Sequence, residues 1–97
     1  QYRQSSGTGL TSADIREIVP DAAHGRVGML FIAAESQAWG TFNRESGTVE
    51  VHQKREADDE DLLEIAAAQT YLNGGSVFLL PPEKMPEPKD LAAVFRY

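Results

Sequence analysis

The chain has 97 residues, 41% of them hydrophobic and 25% charged, which is enough for one globular domain and too few for two. It contains no cysteine, which excludes disulfides, thiol nucleophiles and thiolate metal sites and fits a reducing compartment, so we expect a cytoplasmic protein. The net charge of −6 and the scattered Lys and Arg residues argue against direct nucleic-acid binding, and no apolar run approaches the roughly 20 residues that span a membrane.

The chain opens with a polar segment, residues 1–10, whose Gly and Ser content predicts a linker. It has no initiator Met and no signal-peptide pattern, so we interpret the chain as a fragment of a longer parent protein. Residues 11–97 are expected to form a single α/β domain, because they show neither a convincing repeat nor a second core.

A first helix is predicted after residue 14. The stretch Thr-Ser-Ala-Asp at 11–14 is a helix-start signal. The apolar residues that follow have the spacing of one helix face: Ile15, Ile18, Val19 and Ala22. Pro20 falls inside this pattern and is expected to kink the helix or to begin a second short turn, because proline has no backbone N–H. Gly25 stands where a left-handed helix cap is expected.

One buried strand and one hairpin are predicted next. Residues 26–33 are nearly all apolar, as in a strand that is buried on both faces. Residues 38–43 and 48–52 then flank a turn at 45–47 that contains Gly. This arrangement predicts a β-hairpin, which we place toward an edge of the central sheet.

The second half of the chain predicts one long helix and two more strands. Residues 58–73 have a helical apolar face and are followed by two glycines, which predict a helix cap. Residues 76–80 predict a second buried strand, the proline-rich segment 81–90 an extended loop, and residues 91–97 a last strand. The order of elements predicts an α/β fold with a central mixed β-sheet and helices packed on it.

Four consecutive acidic residues, Asp58, Asp59, Glu60 and Asp61, stand at the predicted start of the long helix. The unpaired N–H groups and the helix dipole stabilise carboxylates there by about 0.3–1 kcal/mol each, and Asp58 or Asp59 is expected to be the N-cap. The run lacks the alternating ligands of a calcium loop, and a two-carboxylate hydrolase needs a second acid across a cleft. We expect helix capping and a negative docking surface for a partner, with metal binding and catalysis as the alternatives.

The remaining polar motifs give no specific signal. His24 and His52 each lack a partner at the i+4 spacing of metal ligands, so surface or boundary roles are expected for both. The Gly-rich stretches 7–10 and 73–76 match neither common phosphate-binding pattern. We therefore expect no cofactor, no metal and no catalytic residue in this chain.

Several segments, taken together, resemble the C-terminal domain of bacterial proteins related to the archaeal and eukaryotic peptide-chain release factors. In that family a helix ends in Ala-Ala-x-x-Gly-Arg-Val, a Trp-Gly strand follows, an acidic Asp-Leu-Leu helix ends in Gly-Gly, and Ala-Ala-x-x-Arg-Tyr closes the domain. The corresponding segments here are Ala22 to Val27, Trp39 with Gly40, Asp61 to Leu63, Gly74 with Gly75, and Ala92 to Tyr97. The first segment has one residue, His24, between the alanines and the glycine where the family pattern has two. The likeness covers about residues 9–97.

This resemblance implies a three-layer α/β sandwich like the third domain of class-I release factors and pelota-like proteins, a fold shared with kink-turn-binding ribosomal proteins. It implies a non-catalytic module, because release factors hydrolyse peptidyl-tRNA with a Gly-Gly-Gln motif of the middle domain, and Gly74-Gly75 is followed by Ser76. The third domain of such factors contacts partner proteins. We thus expect a protein or ribosome partner in translation termination or rescue, besides other domains of the parent. The alternatives are an RNA-binding domain of the kink-turn-binding type and a small ligand-binding or hydrolase domain.

Overall fold

The computed structural model describes residues 11–86 and 89–96, so the predicted linker at 1–10 lies outside the described residues. In chain order the elements are β1 (Thr11–Ser12), α1 (Ile15–Ala23), β2 (Val27–Ala33), β3 (Trp39–Asn43), β4 (Thr48–Val51), β5 (Glu60–Asp61), α2 (Leu62–Leu72), β6 (Ser76–Leu80) and β7 (Leu91–Phe95). A short 3-10 helix, Pro82–Lys84, lies in the proline-rich connection before β7. The predicted elements occur in the predicted order, and β1 and β5 are additional short strands. The prediction that residues 76–80 form a buried strand is wrong, because β6 is the outer strand of its sheet and three of its five residues are exposed.

The larger of two sheets is mixed and has the strand order β1–β7–β2–β6. Strand β2 is antiparallel to β7, with Leu30 opposite Ala93, and parallel to β6, with Phe31 opposite Phe78. The nearly continuous apolar sequence of β2 fits a position with a neighbouring strand on each side. The prediction of a central mixed sheet with helices packed on it is confirmed.

The predicted hairpin forms, but it belongs to a separate three-stranded sheet with the order β4–β3–β5. Its predicted place at an edge of the central sheet is therefore wrong. The residues before α2 form β5 and pair with β3, so that Trp39 lies opposite Asp61. The hairpin side chains Phe42 and Val49 are buried in the common core. Packing this apolar face removes more apolar surface from water than joining a sheet by its edge would.

The core lies between the helices and one face of the mixed sheet. Alternate residues of β2 and β7 form this face, and they share one buried cluster with both helices and with the small sheet. The largest fully buried apolar side chains are Ile18, Leu30, Leu62, Val19 and Val27. Helix α1 also contacts β4, and α2 contacts β3 and β5. Mixed sheet, helices and small sheet thus form a small α/β sandwich.

Helix α1 follows the predicted signals at both ends. The side chain of Asp14 accepts a hydrogen bond from the N–H of Arg16, which is the N-cap geometry. The helix continues through Pro20, so no second turn begins there. Gly25 has the predicted left-handed conformation, with a φ of 73°, and so ends the helix without a side-chain clash.

Helix α2 is shorter than predicted, Leu62–Leu72 instead of residues 58–73. The acidic residues at the predicted start do not join it, because Glu60 and Asp61 form β5 and pair with β3. Gly74 follows the helix with a φ of 86°, as predicted for the glycine pair. Within residues 11–86 and 89–96, no helix is long and apolar enough to cross a membrane.

Candidate functional site

The candidate site is the acidic loop, residues 52–61, which leads from the end of β4 through β5 into α2. It contains the four acidic residues that the sequence singled out. Asp58 and Glu60 are exposed, whereas Asp59 is buried and Asp61 is half-buried. The four carboxylates therefore occupy different environments, and two of them face solvent.

Asp61 is the N-cap of α2. Its Oδ1 accepts one hydrogen bond from the N–H of Leu63 and one from the N–H of Ala38, each at 3.1 Å. This oxygen satisfies a donor in the first turn of the helix and also ties the helix to the segment before β3. The prediction that Asp58 or Asp59 caps the helix is wrong, because the helix starts after Asp61 and the Asp59 carboxylate is bound elsewhere.

Asp59 and His52 close the acidic loop on itself. The Nδ1 atom of His52 lies 2.9 Å from both carboxylate oxygens of Asp59, and the N–H of Glu56 donates a hydrogen bond to Asp59 Oδ2, also at 2.9 Å. The Asp59 side chain is 1% exposed and that of His52 is 22% exposed. A carboxylate with this burial persists because each of its oxygens has a hydrogen-bond partner.

The environment of the pair shifts both pKa values toward the charged forms. The hydrogen bond to Asp59 raises the pKa of His52 above 6.5, against the opposing effect of burial, and the charges of Asp59, Glu56 and Glu50 act in the same direction. Burial alone would raise the pKa of Asp59, but the hydrogen bonds from the Glu56 N–H and from His52 outweigh it and lower that pKa below 3.8. His52 and Asp59 are therefore an ion pair at mildly acidic pH.

The polar contacts of His52 indicate a structural role. Besides Asp59, Glu50 lies 3.8 Å from Nε2, and Glu56 lies 3.7 Å from Nδ1. A histidine that acts as a general base needs a neutral imidazole near neutral pH. Three carboxylates around one ring favour the protonated form instead, so the arrangement is better suited to fixing the loop than to accepting a proton.

A second contact fixes the loop on the small sheet. The guanidinium carbon of Arg55 lies 4.6 Å from the centre of the Trp39 ring. This distance is that of a cation–π contact, which is worth about 0.5–1 kcal/mol at exposed sites. Two independent side-chain contacts thus fix the loop, one between His52 and Asp59 within it and one to β3.

We expect the chain to be more stable at about pH 6 than at about pH 9, because of His52. Folding raises the pKa of His52, so its stabilising charge is fully present below 6.5 and is lost as the pH rises through the folded-state pKa. Folding lowers the pKa of Asp59, so its contribution is present above 3.8 and is lost as the pH falls through the folded-state pKa. Thermal unfolding followed by circular dichroism across this pH range measures the effect.

The His52→Gln variant is the control for this prediction. It removes the titrating ring and leaves His24, the other histidine, in place. Between about pH 6 and pH 9 the gap in melting temperature between the original chain and the variant should narrow. A difference in melting temperature that stays constant would show that the His52–Asp59 pair makes no pH-dependent contribution to stability.

Sequence reasoning found the acidic run but missed the pair inside the loop. His52 and Asp59 are seven residues apart in a segment that forms neither a helix nor a strand, so no regular periodicity relates them. The available signal was the position of a histidine directly after a strand and before several acids. His24, expected in a surface role, is the exposed C-cap of α1. In the described part of the chain, no three His, Cys, Asp or Glu side chains form a group that could bind a metal ion.

Comparison of the chain with protein-family models and with curated proteins finds no match. The likeness to release-factor C-terminal domains therefore stays a prediction from the quoted segments.

Proposed function

We propose that the chain is a non-catalytic module that binds a basic surface of a protein or ribosome partner through Asp58 and Glu60. The observation that supports this most is that the four acidic residues of the loop have two different roles. Asp59 and Asp61 are turned inward and fix the backbone, while the residues next to them, Asp58 and Glu60, present their carboxylates to solvent. A loop fixed in this way can present charges without much loss of conformational entropy on binding.

The charge of the chain supports a basic partner. The net charge is −6, and two more acidic side chains are exposed at the loop, Glu50 beside it at 70% and Glu56 within it at 66%. A surface of one sign accelerates association with an oppositely charged surface and opposes binding to nucleic-acid phosphate. We therefore place the contact on a basic protein surface, of the kind that ribosomal proteins and protein partners present, and not on RNA.

The resemblance to release-factor C-terminal domains suggests which partner to test first. In that family the third domain is the protein-contacting part, and the hydrolytic motif lies in another domain. We propose that this chain serves a release-factor-like parent in translation termination or rescue, by contacting the ribosome or a protein bound to it.

Charge reversal of the two exposed acids tests the proposal. The double variant Asp58→Lys with Glu60→Lys should weaken co-sedimentation with bacterial ribosomes about tenfold, the equivalent of ~1.4 kcal/mol, because two attractive charges become repulsive. Binding by the original chain should also weaken as salt is raised.

The matched control is the double variant Glu45→Lys with Glu83→Lys. It makes the same change in net charge at two exposed positions outside the acidic loop, in the β3–β4 turn and in the 3-10 helix. Equal weakening by both double variants would contradict docking through the acidic loop. If the original chain does not sediment with ribosomes at all, the proposed ribosomal partner is wrong.

A further inference from the structure

Strand β6, Ser76–Leu80, is the outer strand of the mixed sheet, since no described strand pairs with its second side. Its sequence, Ser-Val-Phe-Leu-Leu, has no charged residue and no proline. An edge strand carries a row of backbone N–H and C=O groups that are free to pair, and proteins usually protect such edges with charges, proline or a covering segment. In the described part of the chain β6 has none of these protections, so its edge is open to another strand.

Large apolar side chains of β6 are exposed on both faces of the sheet. On the helix side of the sheet, Leu79 is 71% exposed, and on the outer side Phe78 is 41% exposed although it stacks on Phe31 with ring centres 5.3 Å apart. Removing apolar side chains of this size from water is favourable, so a partner that covers them gains binding free energy. The exposed apolar surface therefore follows the same strand whose backbone is open.

One side of α2 borders the exposed residues of the strand. Glu64 and Ala67 line a shallow groove with Leu79. Tyr71, which is 74% exposed, lies one helical turn beyond Ala67 on the same side of α2. Helix α2 contacts β6, and this row of residues lies on the side of the helix that borders Leu79.

We propose that the chain forms a symmetric dimer in which β6 pairs antiparallel with β6 of a second copy, around a two-fold axis at Phe78. The two mixed sheets then join into one continuous sheet. Both α2 helices lie on the same face of it and run antiparallel to each other. This arrangement satisfies the open backbone groups and covers the exposed apolar residues in a single step.

A second copy fits this edge because the edge is complementary to itself. Antiparallel pairing centred on Phe78 places Val77 opposite Leu79 of the second copy, on the helix side, and Ser76 opposite Leu80. No charged residue of β6 meets its own copy, so like charges do not oppose the pairing. With the helices antiparallel, the Glu64 carboxylate faces the Tyr71 hydroxyl of the second copy, which can donate a hydrogen bond to it, and not another carboxylate.

Sedimentation velocity of the 97-residue chain over a dilution series tests the proposal. The original chain should show a concentration-dependent dimer. The Leu79→Lys variant should raise the dissociation constant by about tenfold or more, because a charge then lies inside the joined sheet on both copies. Since Leu79 is 71% exposed in the single chain, this variant should keep its fold, which circular dichroism verifies.

The matched control is Leu72→Lys. Leu72 is 74% exposed, much like Leu79, and the substitution adds the same single positive charge. It lies roughly 100° away from Tyr71 around α2, off the row that flanks β6. Leu72→Lys should leave the dimer unchanged. Equal loss of the dimer in both variants would show that the contact is elsewhere and would overturn the proposal.

Hydrogen exchange separates strand pairing from unspecific association. In the proposed dimer, the backbone N–H groups of β6 that point away from β2 change from solvent-exposed to paired, so exchange in β6 should slow as the chain concentration rises. A chain that is monomeric at every concentration, or a dimer whose β6 exchange does not depend on concentration, would overturn the proposal.

Discussion

Replacing Leu30 with alanine should lower the free energy of unfolding by about 2–5 kcal/mol, which is a large part of the stability of a small domain. Leu30 is fully buried in the centre of β2, between Ala93 of β7 and Val77 of β6. The substitution removes three carbon atoms from a site where a small neighbour, Ala93, cannot fill the space. The cavity adds its own cost to the lost burial. Urea denaturation followed by circular dichroism measures the change.

Leu72→Ala is the matched control for this prediction, since it makes the same chemical change at a residue that is 74% exposed. It should alter the free energy of unfolding by no more than about 0.5 kcal/mol. Alanine is also a slightly better helix former than leucine, which offsets part of any loss. Similar destabilisation by both variants would contradict the position of Leu30 in the core.

Gly40→Ala should destabilise the chain by about 1–3 kcal/mol or more, because β3 has no space for a side chain at this position. A Cβ atom on Gly40 would lie 1.9 Å from the carbonyl oxygen of Glu50 and 2.9 Å from Cδ1 of Leu62. The first contact is with the backbone of the paired strand β4, so β3 and β4 must move apart. The second is with a fully buried side chain of α2. The cost therefore falls on the hairpin and on the start of α2 together.

Gly28→Ala is the comparison that isolates this crowding. Gly28 also lies in a strand, and the nearest atom to an added Cβ is Cγ of the exposed Arg96 side chain, at 3.3 Å. That side chain can move by a few tenths of an ångström, so the change should be small. Urea denaturation of both variants should give a clearly larger loss for Gly40→Ala. The reverse order would mean that β3 and β4 are less closely paired than the structure shows.

Much of the sheet could be predicted because its strands are strongly apolar. The run at β2 is too hydrophobic for a surface and too short for most helices, so burial decides its conformation. The run at β6 predicted a strand for the same reason, but this strand lies at the edge of the sheet and is exposed. The prediction of a mixed sheet with two helices packed on it depended on these strands. The two-residue strands β1 and β5 carried no such pattern. Strand β5 forms only because Glu60 lies opposite Gly40 in the folded chain, and no local sequence signal contains that information.

The role of each acidic residue could not be predicted from the run itself. Each of the three Asp residues is a good N-cap, so local propensity does not choose between them. The choice depends on distant groups. The N–H of Ala38 offers Asp61 a second donor, and His52 binds the Asp59 carboxylate and draws it away from the helix. The helix start therefore lies later than its sequence signal, and a residue expected at the surface is buried.

The contact between Arg55 and Trp39 allows the position of the acidic loop to be followed by tryptophan fluorescence. Trp39 is the only tryptophan of the chain, and a guanidinium lies 4.6 Å from its ring. Indole emission depends on charges near the ring, so release of the loop from β3 changes the spectrum without any added label. Intrinsic fluorescence can thus follow this loop separately from the helices, whose unfolding is read by circular dichroism. The loop that we propose to contact the partner therefore has a natural fluorescent probe beside it, in β3.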